Sequence, residues 1–207
     1  MLTAFEAFKR LQEGNRRFVA NQTTAEPIDR AHRAALAAGQ EPFAIILGCS
    51  DSRVPAELVF DQGFGDLFVI RVAGNIVAPS QVGSVEFAAS RFGTQLVVVL
   101  GHSGCGAITA TIEEVTGQAT SQSRNLRSIV DRVRPSVETL ISGRHGHDRE
   151  ALMRDAVRAN VRASVNHLRH GSALLEQLSR SACLKVLGAE YSLETGVVTF
   201  LDSLAAD

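Results

Sequence analysis

The chain has 207 residues, of which 45% are hydrophobic and 21% charged, a composition that suits one sizeable domain and excludes general disorder. Its 21 basic and 22 acidic residues give a formal net charge of -1, which lacks the basic excess of nucleic-acid-binding proteins. The longest apolar runs are too short to span a bilayer, and the first residues have no continuous apolar segment typical of a secretory signal. We therefore expect one cytoplasmic domain over residues 1–207, with neither nucleic acid nor membrane as a partner.

Helical patterns come first in the chain. Apolar residues at near-helical spacing between charges predict an amphipathic helix over residues 3–19. Polar residues follow, so the helix and its connector form an N-terminal arm over residues 1–26. The apolar face of this helix could pack on its own subunit or on a partner. A second helix, capped by Asp29, should run to about Ala38.

Beyond these helices, short apolar runs alternate with helical segments. Uninterrupted runs rich in β-branched residues predict strands buried on both faces, at 43–47, 67–72 and 96–100. Helical patterns cover 55–60, 80–92, 105–116, 124–140 with an interruption or bend near Pro135, and 149–178 with a break at Gly171. A polar turn over 142–148 separates the last two, and a strand over 184–189 precedes a hairpin partner over 197–201. The pattern predicts an α/β fold, a parallel-centred β-sheet with an antiparallel edge strand, flanked by helices.

Two loops that directly follow predicted strands carry reactive side chains. The first, residues 49–53, reads CSDSR, and the second, residues 101–106, reads GHSGCG. Ligand sites in open parallel sheets gather at the carboxyl ends of strands. We therefore expect the two loops to meet.

The two loops together offer a donor set for a metal. Cys49, His102 and Cys105 supply two thiolates and one imidazole, a set typical of tetrahedral zinc. Asp51 could be a fourth ligand or could stand beside the ion, so the residues alone leave a closed and an open metal site as alternatives. Cys183 has no His or Cys beside it, and we expect it to be an inert core thiol.

The ordered pair of motifs resembles the zinc signature of the β-class carbonic anhydrases. The resemblance covers nearly the whole chain, from residues 14–18 in the first helix to the closing strands. It implies a parallel-centred sheet, an N-terminal helical arm that wraps a partner subunit, and self-association as a dimer or tetramer. It also implies one zinc ion per chain, held by Cys49, His102 and Cys105, and reversible hydration of carbon dioxide to bicarbonate by attack of zinc-bound hydroxide.

The same resemblance implies roles for residues around the metal. Asp51 and Arg53 would form a dyad in which the guanidinium keeps the carboxylate ionised and oriented. Asp51 would alternatively move onto zinc in a closed state. The positions that match substrate-binding residues of the family are Gln40, Phe68, Phe87 and Gly106. The matching glutamine of the family donates a hydrogen bond to substrate from the partner subunit.

Some family members also bind bicarbonate in a regulatory pocket made by a Trp, an Arg and a Tyr. Arg71 and Tyr191 match two of these positions, but Ile46 stands at the third and the chain has no tryptophan. We therefore do not expect bicarbonate regulation of that type. Closure of Asp51 on the metal, driven by pH alone, stays open.

Three other functions compete with carbon dioxide hydration. Hydrolysis of carbonyl sulfide or carbon disulfide would use the same zinc scaffold, and sequence does not separate these substrates. A non-catalytic zinc module would have no use for Asp51, Arg53 and Gln40, and a thiol redox protein would need a C-x-x-C arrangement that the chain lacks.

No histidine is placed by sequence as a proton carrier, and we expect surface positions for His32, His145, His147, His167 and His170.

Overall fold

The computed structural model describes residues 2–24, 29–120, 123–142, 148–181 and 183–205. The helices are α1 (Ala4–Val19), α2 (Arg30–Leu36), α3 (Ala56–Val59), α4 (Pro79–Phe92), α5 (Gly106–Val115), α6 (Arg124–Ser142), α7 (Arg149–His170) and α8 (Ala173–Arg180). The strands are β1 (Ala44–Gly48), β2 (Leu67–Arg71), β3 (Leu96–His102), β4 (Lys185–Tyr191) and β5 (Val198–Phe200). The predicted break at Gly171 separates α7 from α8, whose N-cap is Ser172.

The strands form one sheet in the order β2-β1-β3-β4-β5. The first four strands are parallel and β5 runs antiparallel to β4. This arrangement confirms the predicted α/β fold with its antiparallel edge strand. All residues of β1 and β3 are buried, as expected for central strands with helices on both faces.

Alternating residues of the central strands contribute side chains to two apolar layers, one on each face of the sheet. Ile45 and Leu47 of β1 pack with residues of α4, α7 and α8 on one face of the sheet. Ala44 and Ile46 pack on the other face, against α1 and α3. Successive side chains of a strand point to opposite faces of the sheet, which produces this division. Packing on both faces gives the loops at the carboxyl ends of β1 and β3 a rigid base.

Helix α1 packs on its own chain. Phe8 and Leu11 are buried in the core beside β5, and the Phe8 ring meets Phe200 edge-on at 4.8 Å between centroids. The Asn15 amide donates to the carbonyls of Val59 and Gly196, at 3.0 and 2.9 Å. The apolar face that sequence left unassigned therefore belongs to this subunit, and wrapping of a partner by the arm stays a prediction.

The structure corrects two predictions from the sequence. Helix α6 runs through Pro135 without interruption, because a buried stripe of Val130, Val133 and Val137 holds it against its neighbours on both sides of the proline. The predicted interruption is therefore wrong, and the alternative of a bend stays a prediction. Cys183 is exposed, since the apolar run of β4 begins to be buried only at Leu184.

Several smaller features can be compared with the sequence. Helix α2 ends at Leu36, two residues short of the predicted end. His32, His167 and His170 lie at the surface as predicted, whereas residues 25–28 of the connector and residues 143–147, with two further histidines, lie outside the described residues. Among the helices that the structure describes, none combines the length and apolar character needed to cross a membrane.

Candidate metal centre

The two predicted loops meet between β1 and β3. From β1, the chain builds β2 on one side of the sheet and then crosses to build β3 on the other. Strand β1 pairs with β2 on one side and with β3 on the other, in parallel on both. Cys49 directly follows β1, His102 ends β3, and Cys105 caps the start of α5. Such a switch point at the carboxyl ends of parallel strands is where α/β folds place ligands.

Cys49, His102 and Cys105 form a compact donor group. The sulfur and nitrogen atoms that could bind a metal all lie within 4.8 Å of one another. The three side chains are buried, with exposed fractions of 5%, 0% and 1%. Two sulfurs and one imidazole nitrogen at this separation suit a soft, tetrahedral divalent cation.

The hydrogen bonding of His102 fits a metal as well. Its Nδ1 lies 2.9 Å from the carbonyl oxygen of Ser103, which can only accept, so the ring carries its proton on Nδ1. Nε2 is then an acceptor, and it is buried with no hydrogen-bond partner among the described residues. Buried acceptors are rarely left without a partner. A cation between Nε2 and the two sulfurs would satisfy it, and the carbonyl would orient the ring.

The ionisation of the two thiols is coupled. A hydrogen bond from Cys105 is the largest factor that lowers the pKa of Cys49, to about 4, against the opposing effect of burial. The pKa of Cys105 is raised in turn, first by that same interaction and then by burial. Burial disfavours protonation of His102, but the Cys49 thiolate outweighs it and raises the pKa of the imidazole. The two sulfurs thus share one proton, which a cation bound between them would displace.

Asp51 and Arg53 form a two-pronged pair at the mouth of this pocket. Arg53 Nε donates to Asp51 Oδ1 at 2.9 Å and Nη2 to Oδ2 at 2.7 Å, and the Arg53 backbone amide adds a bond of 3.0 Å. The side-chain bonds from Arg53 hold the pKa of Asp51 well below its usual range. Asp51 Oδ2 lies 3.9 Å from His102 Nε2. An ionised carboxylate therefore stands beside the donor group with both oxygens engaged by Arg53.

Of the residues predicted to bind substrate, Gly106 adjoins the donor group, whereas Gln40 lies at the opposite end of β1. Gly106 begins α5, directly after Cys105. Apart from its chain neighbours and the backbone of its own helix, no described residue has an atom within 4 Å of where a Cβ would stand. Phe68 on β2 lies 6.2 Å from the Phe87 ring, and Phe87 is 54% exposed. Gln40 lies before β1, at the end opposite to Cys49, and lines a groove with Pro42. Their roles stay predictions.

Three residues make contacts around the site that the sequence did not indicate as functional. Arg71, considered in the sequence only as part of a regulatory pocket, donates to the carbonyl of Cys49 at 2.9 Å and to that of Asp51 at 2.6 Å. The Gly74 amide donates to Cys49 Sγ at 3.4 Å. Asn160 of α7 donates to the Gly74 carbonyl at 2.8 Å. An asparagine among the valines of the buried helix face was the available signal for this last contact.

Comparisons with known proteins agree with this geometry. The family model described as carbonic anhydrase matches residues 44–198. Carbonic anhydrase 2 of Mycobacterium tuberculosis is 39% identical over 200 residues, which is 96% of this chain and 93% of that protein. A carbonic anhydrase of Mycolicibacterium smegmatis is 37% identical over 192 residues, covering 93% and 90% of the two chains.

A solved structure extends the likeness to three dimensions. The β-carbonic anhydrase CcaA superimposes with a TM-score of 0.70 at 28% identity, over 94% of this chain and 95% of that one. Sequence identity, the family match and the fold thus agree over the stretch that carries both loops. The chain belongs to the β-class carbonic anhydrase family.

Proposed function

We propose that this protein is a zinc enzyme that catalyses the reversible hydration of carbon dioxide to bicarbonate and a proton. One observation carries the proposal: the unpartnered Nε2 of His102 faces two buried thiols, with an ionised carboxylate 3.9 Å away. The thiols and the imidazole offer a metal three ligands. The carboxylate suits a site in which the remaining position is open for chemistry.

Cys49, His102 and Cys105 would hold one zinc ion per chain. When bound, the ion supplies hydroxide near neutral pH, because it lowers the pKa of a coordinated water from 15.7 towards ~7. Two thiolates donate more charge than imidazoles, so we expect a smaller acidification here than at a site with three histidines. Family membership and the soft donor set favour zinc over magnesium or calcium, which prefer oxygen ligands.

Asp51 would orient the attacking nucleophile. Its ionised carboxylate can accept a hydrogen bond but cannot donate one, so a lone pair of the nucleophile is left for the carbon of the substrate. Arg53 keeps the carboxylate ionised and fixes its direction through two parallel bonds. This arrangement supports Asp51 as a catalytic residue beside the metal rather than as a fourth ligand.

The substrate side of the site would be completed by a second copy of the chain. Gln40 would reach in from the partner subunit, while Phe68, Phe87 and Gly106 would line the pocket, and the exposed Phe87 ring fits a surface that a partner covers. We propose a homodimer or tetramer for this reason. We also propose a cytoplasmic location, since two free thiols in the metal site need a reducing environment.

The test is stopped-flow carbon dioxide hydration by purified protein of known zinc content, measured from about pH 6.5 to 9. We expect turnover that rises with pH in step with ionisation of the zinc-bound water, and that disappears when a chelator removes zinc. Zinc-loaded protein with no turnover on carbon dioxide would contradict the proposal. Turnover on carbonyl sulfide in its place would assign the site to the competing hydrolysis.

A further inference from the structure

The sulfur of Cys49 accepts a hydrogen bond from the backbone. The Gly74 amide donates to it at 3.4 Å, over a sequence separation of 25 residues. A backbone N–H group on a thiolate withdraws electron density from the sulfur and limits its position. Such contacts tune both the affinity and the electronic properties of a metal site.

The segment that carries this amide has an unusual backbone. Gly74 has φ 70° and Asn75 has φ 43°, in the left-handed region that few residue types adopt. A Cβ on Gly74 would lie 2.9 Å from the Cβ of Ala107 in α5. Glycine and asparagine are the residue types that enter this region most readily, and the segment lies close against the helix that follows Cys105.

Helix α7 supplies the contacts that hold the segment. Asn160 Nδ2 donates to the Gly74 carbonyl at 2.8 Å, and Ser164 Oγ donates to the Asn75 carbonyl at 3.1 Å. Both side chains are buried. They lie four residues apart and so share one face of the helix.

We propose that Asn160, supported by Ser164, is a positioning residue for the metal centre and acts on the Cys49 sulfur through Gly74. The amide of Asn160 holds the carbonyl of Gly74, and the same glycine presents its N–H to Sγ. A buried helix outside both signature loops thereby sets the hydrogen bonding of a metal ligand. The inference rests on the proposed function to the extent that Cys49 binds the metal.

Zinc affinity and the spectrum of the cobalt-substituted protein test the inference without any assay of activity. Zinc affinity is measured by competition with a chromophoric chelator, and Co²⁺ reports the energy of the sulfur-to-metal charge-transfer band. We expect Asn160→Ala to weaken zinc binding by about tenfold to a hundredfold. The band should move to longer wavelength, because the Gly74 N–H group is no longer held against the sulfur. Ser164→Ala should change both quantities in the same direction by a smaller amount.

Asn166→Ala is the matched control, since Asn166 is an exposed asparagine on the same helix. We expect this variant to retain the zinc affinity and the cobalt band of the wild type. Thermal unfolding of the metal-free proteins separates a loss of fold from a loss of ligand positioning. Asn160→Ala protein that unfolds earlier but keeps wild-type zinc affinity and an unshifted band would overturn the inference.

If Asn160→Ala does not fold, Ser164→Ala tests the inference instead. An unchanged zinc affinity and an unshifted cobalt band in Ser164→Ala would overturn the inference. Wild-type protein that binds no zinc would overturn the proposed function as well as this inference. Zinc-binding wild type with unaffected α7 variants would overturn the inference alone. The two failures are therefore distinguishable.

Discussion

The two sides of the site differ in how completely one chain builds them. The metal side lies at the carboxyl ends of β1 and β3, and its three donor residues are buried. His102 donates to the carbonyl of Ser103, and Cys49 accepts hydrogen bonds from Gly74 and Arg71. The predicted substrate side has Phe87 exposed and Gln40 at the far end of β1. One chain supplies all three residues that could hold a metal, whereas the substrate side requires, on our proposal, a second chain.

The largest effect should follow removal of a ligand from the metal side. His102→Ala deletes the imidazole and leaves the two thiols with their shared proton. We therefore expect almost no zinc in the purified protein, and carbon dioxide hydration no faster than in buffer alone. Metal analysis together with stopped-flow hydration measures both. Stoichiometric zinc in this variant would contradict the assignment of His102 as a ligand.

Asp51→Ala should separate metal binding from catalysis. The three donor residues remain, so we expect about one zinc per chain, while loss of the orienting carboxylate should lower kcat by about 10²–10⁴-fold, the usual contribution of a positioned acid–base group. Zinc content and kcat are measured on the same sample. Loss of the metal and of the fold would instead identify Asp51 as a structural ligand.

Two variants of helix α1 test whether its apolar face packs on its own subunit. Leu11 is fully buried in the core of its own subunit, so Leu11→Ala should lower the free energy of unfolding by about 2–5 kcal/mol. Glu13→Ala, on an exposed position of the same helix, should change it by less than about 0.5 kcal/mol. Denaturant unfolding measures both. Equal stability of the two variants would indicate that α1 packs elsewhere in solution.

The smallest effect concerns pH. Because Arg53 lowers the pKa of Asp51 in the folded protein, the stabilising effect of their pair is fully present above the unfolded pKa of about 3.9. It is lost progressively as pH falls from the unfolded pKa through the lower folded pKa. The difference in unfolding midpoint between wild type and Asp51→Asn should therefore stay constant from about pH 7 to pH 5. A difference that shrinks in this range would show that Asp51 becomes protonated there, which a carboxylate held by Arg53 should not.

The sequence predicted the metal side better than its surroundings for a physical reason. Ligand residues such as Cys49 and Cys105 have few chemical alternatives, and continuous apolar runs define the strands that precede them. The predicted interruption at Pro135 and the predicted burial of Cys183 were wrong because local rules were applied where packing and the position of a strand boundary decide. The bond from Asn160 to Gly74 joins residues 86 positions apart, and no local pattern encodes such a pairing.

Subunit complementation tests the division of the site between two chains most directly. In a mixed dimer of Asp51→Ala and Gln40→Ala chains, one site combines the intact metal side of one chain with the intact glutamine of the other. If each variant alone is nearly inactive, an equal mixture refolded together should recover about a quarter of wild-type activity, since half of the dimers are mixed and half of their sites are intact. Activity no higher than the mean of the two separate proteins would contradict this account, because Gln40 would then act within its own chain or not at all.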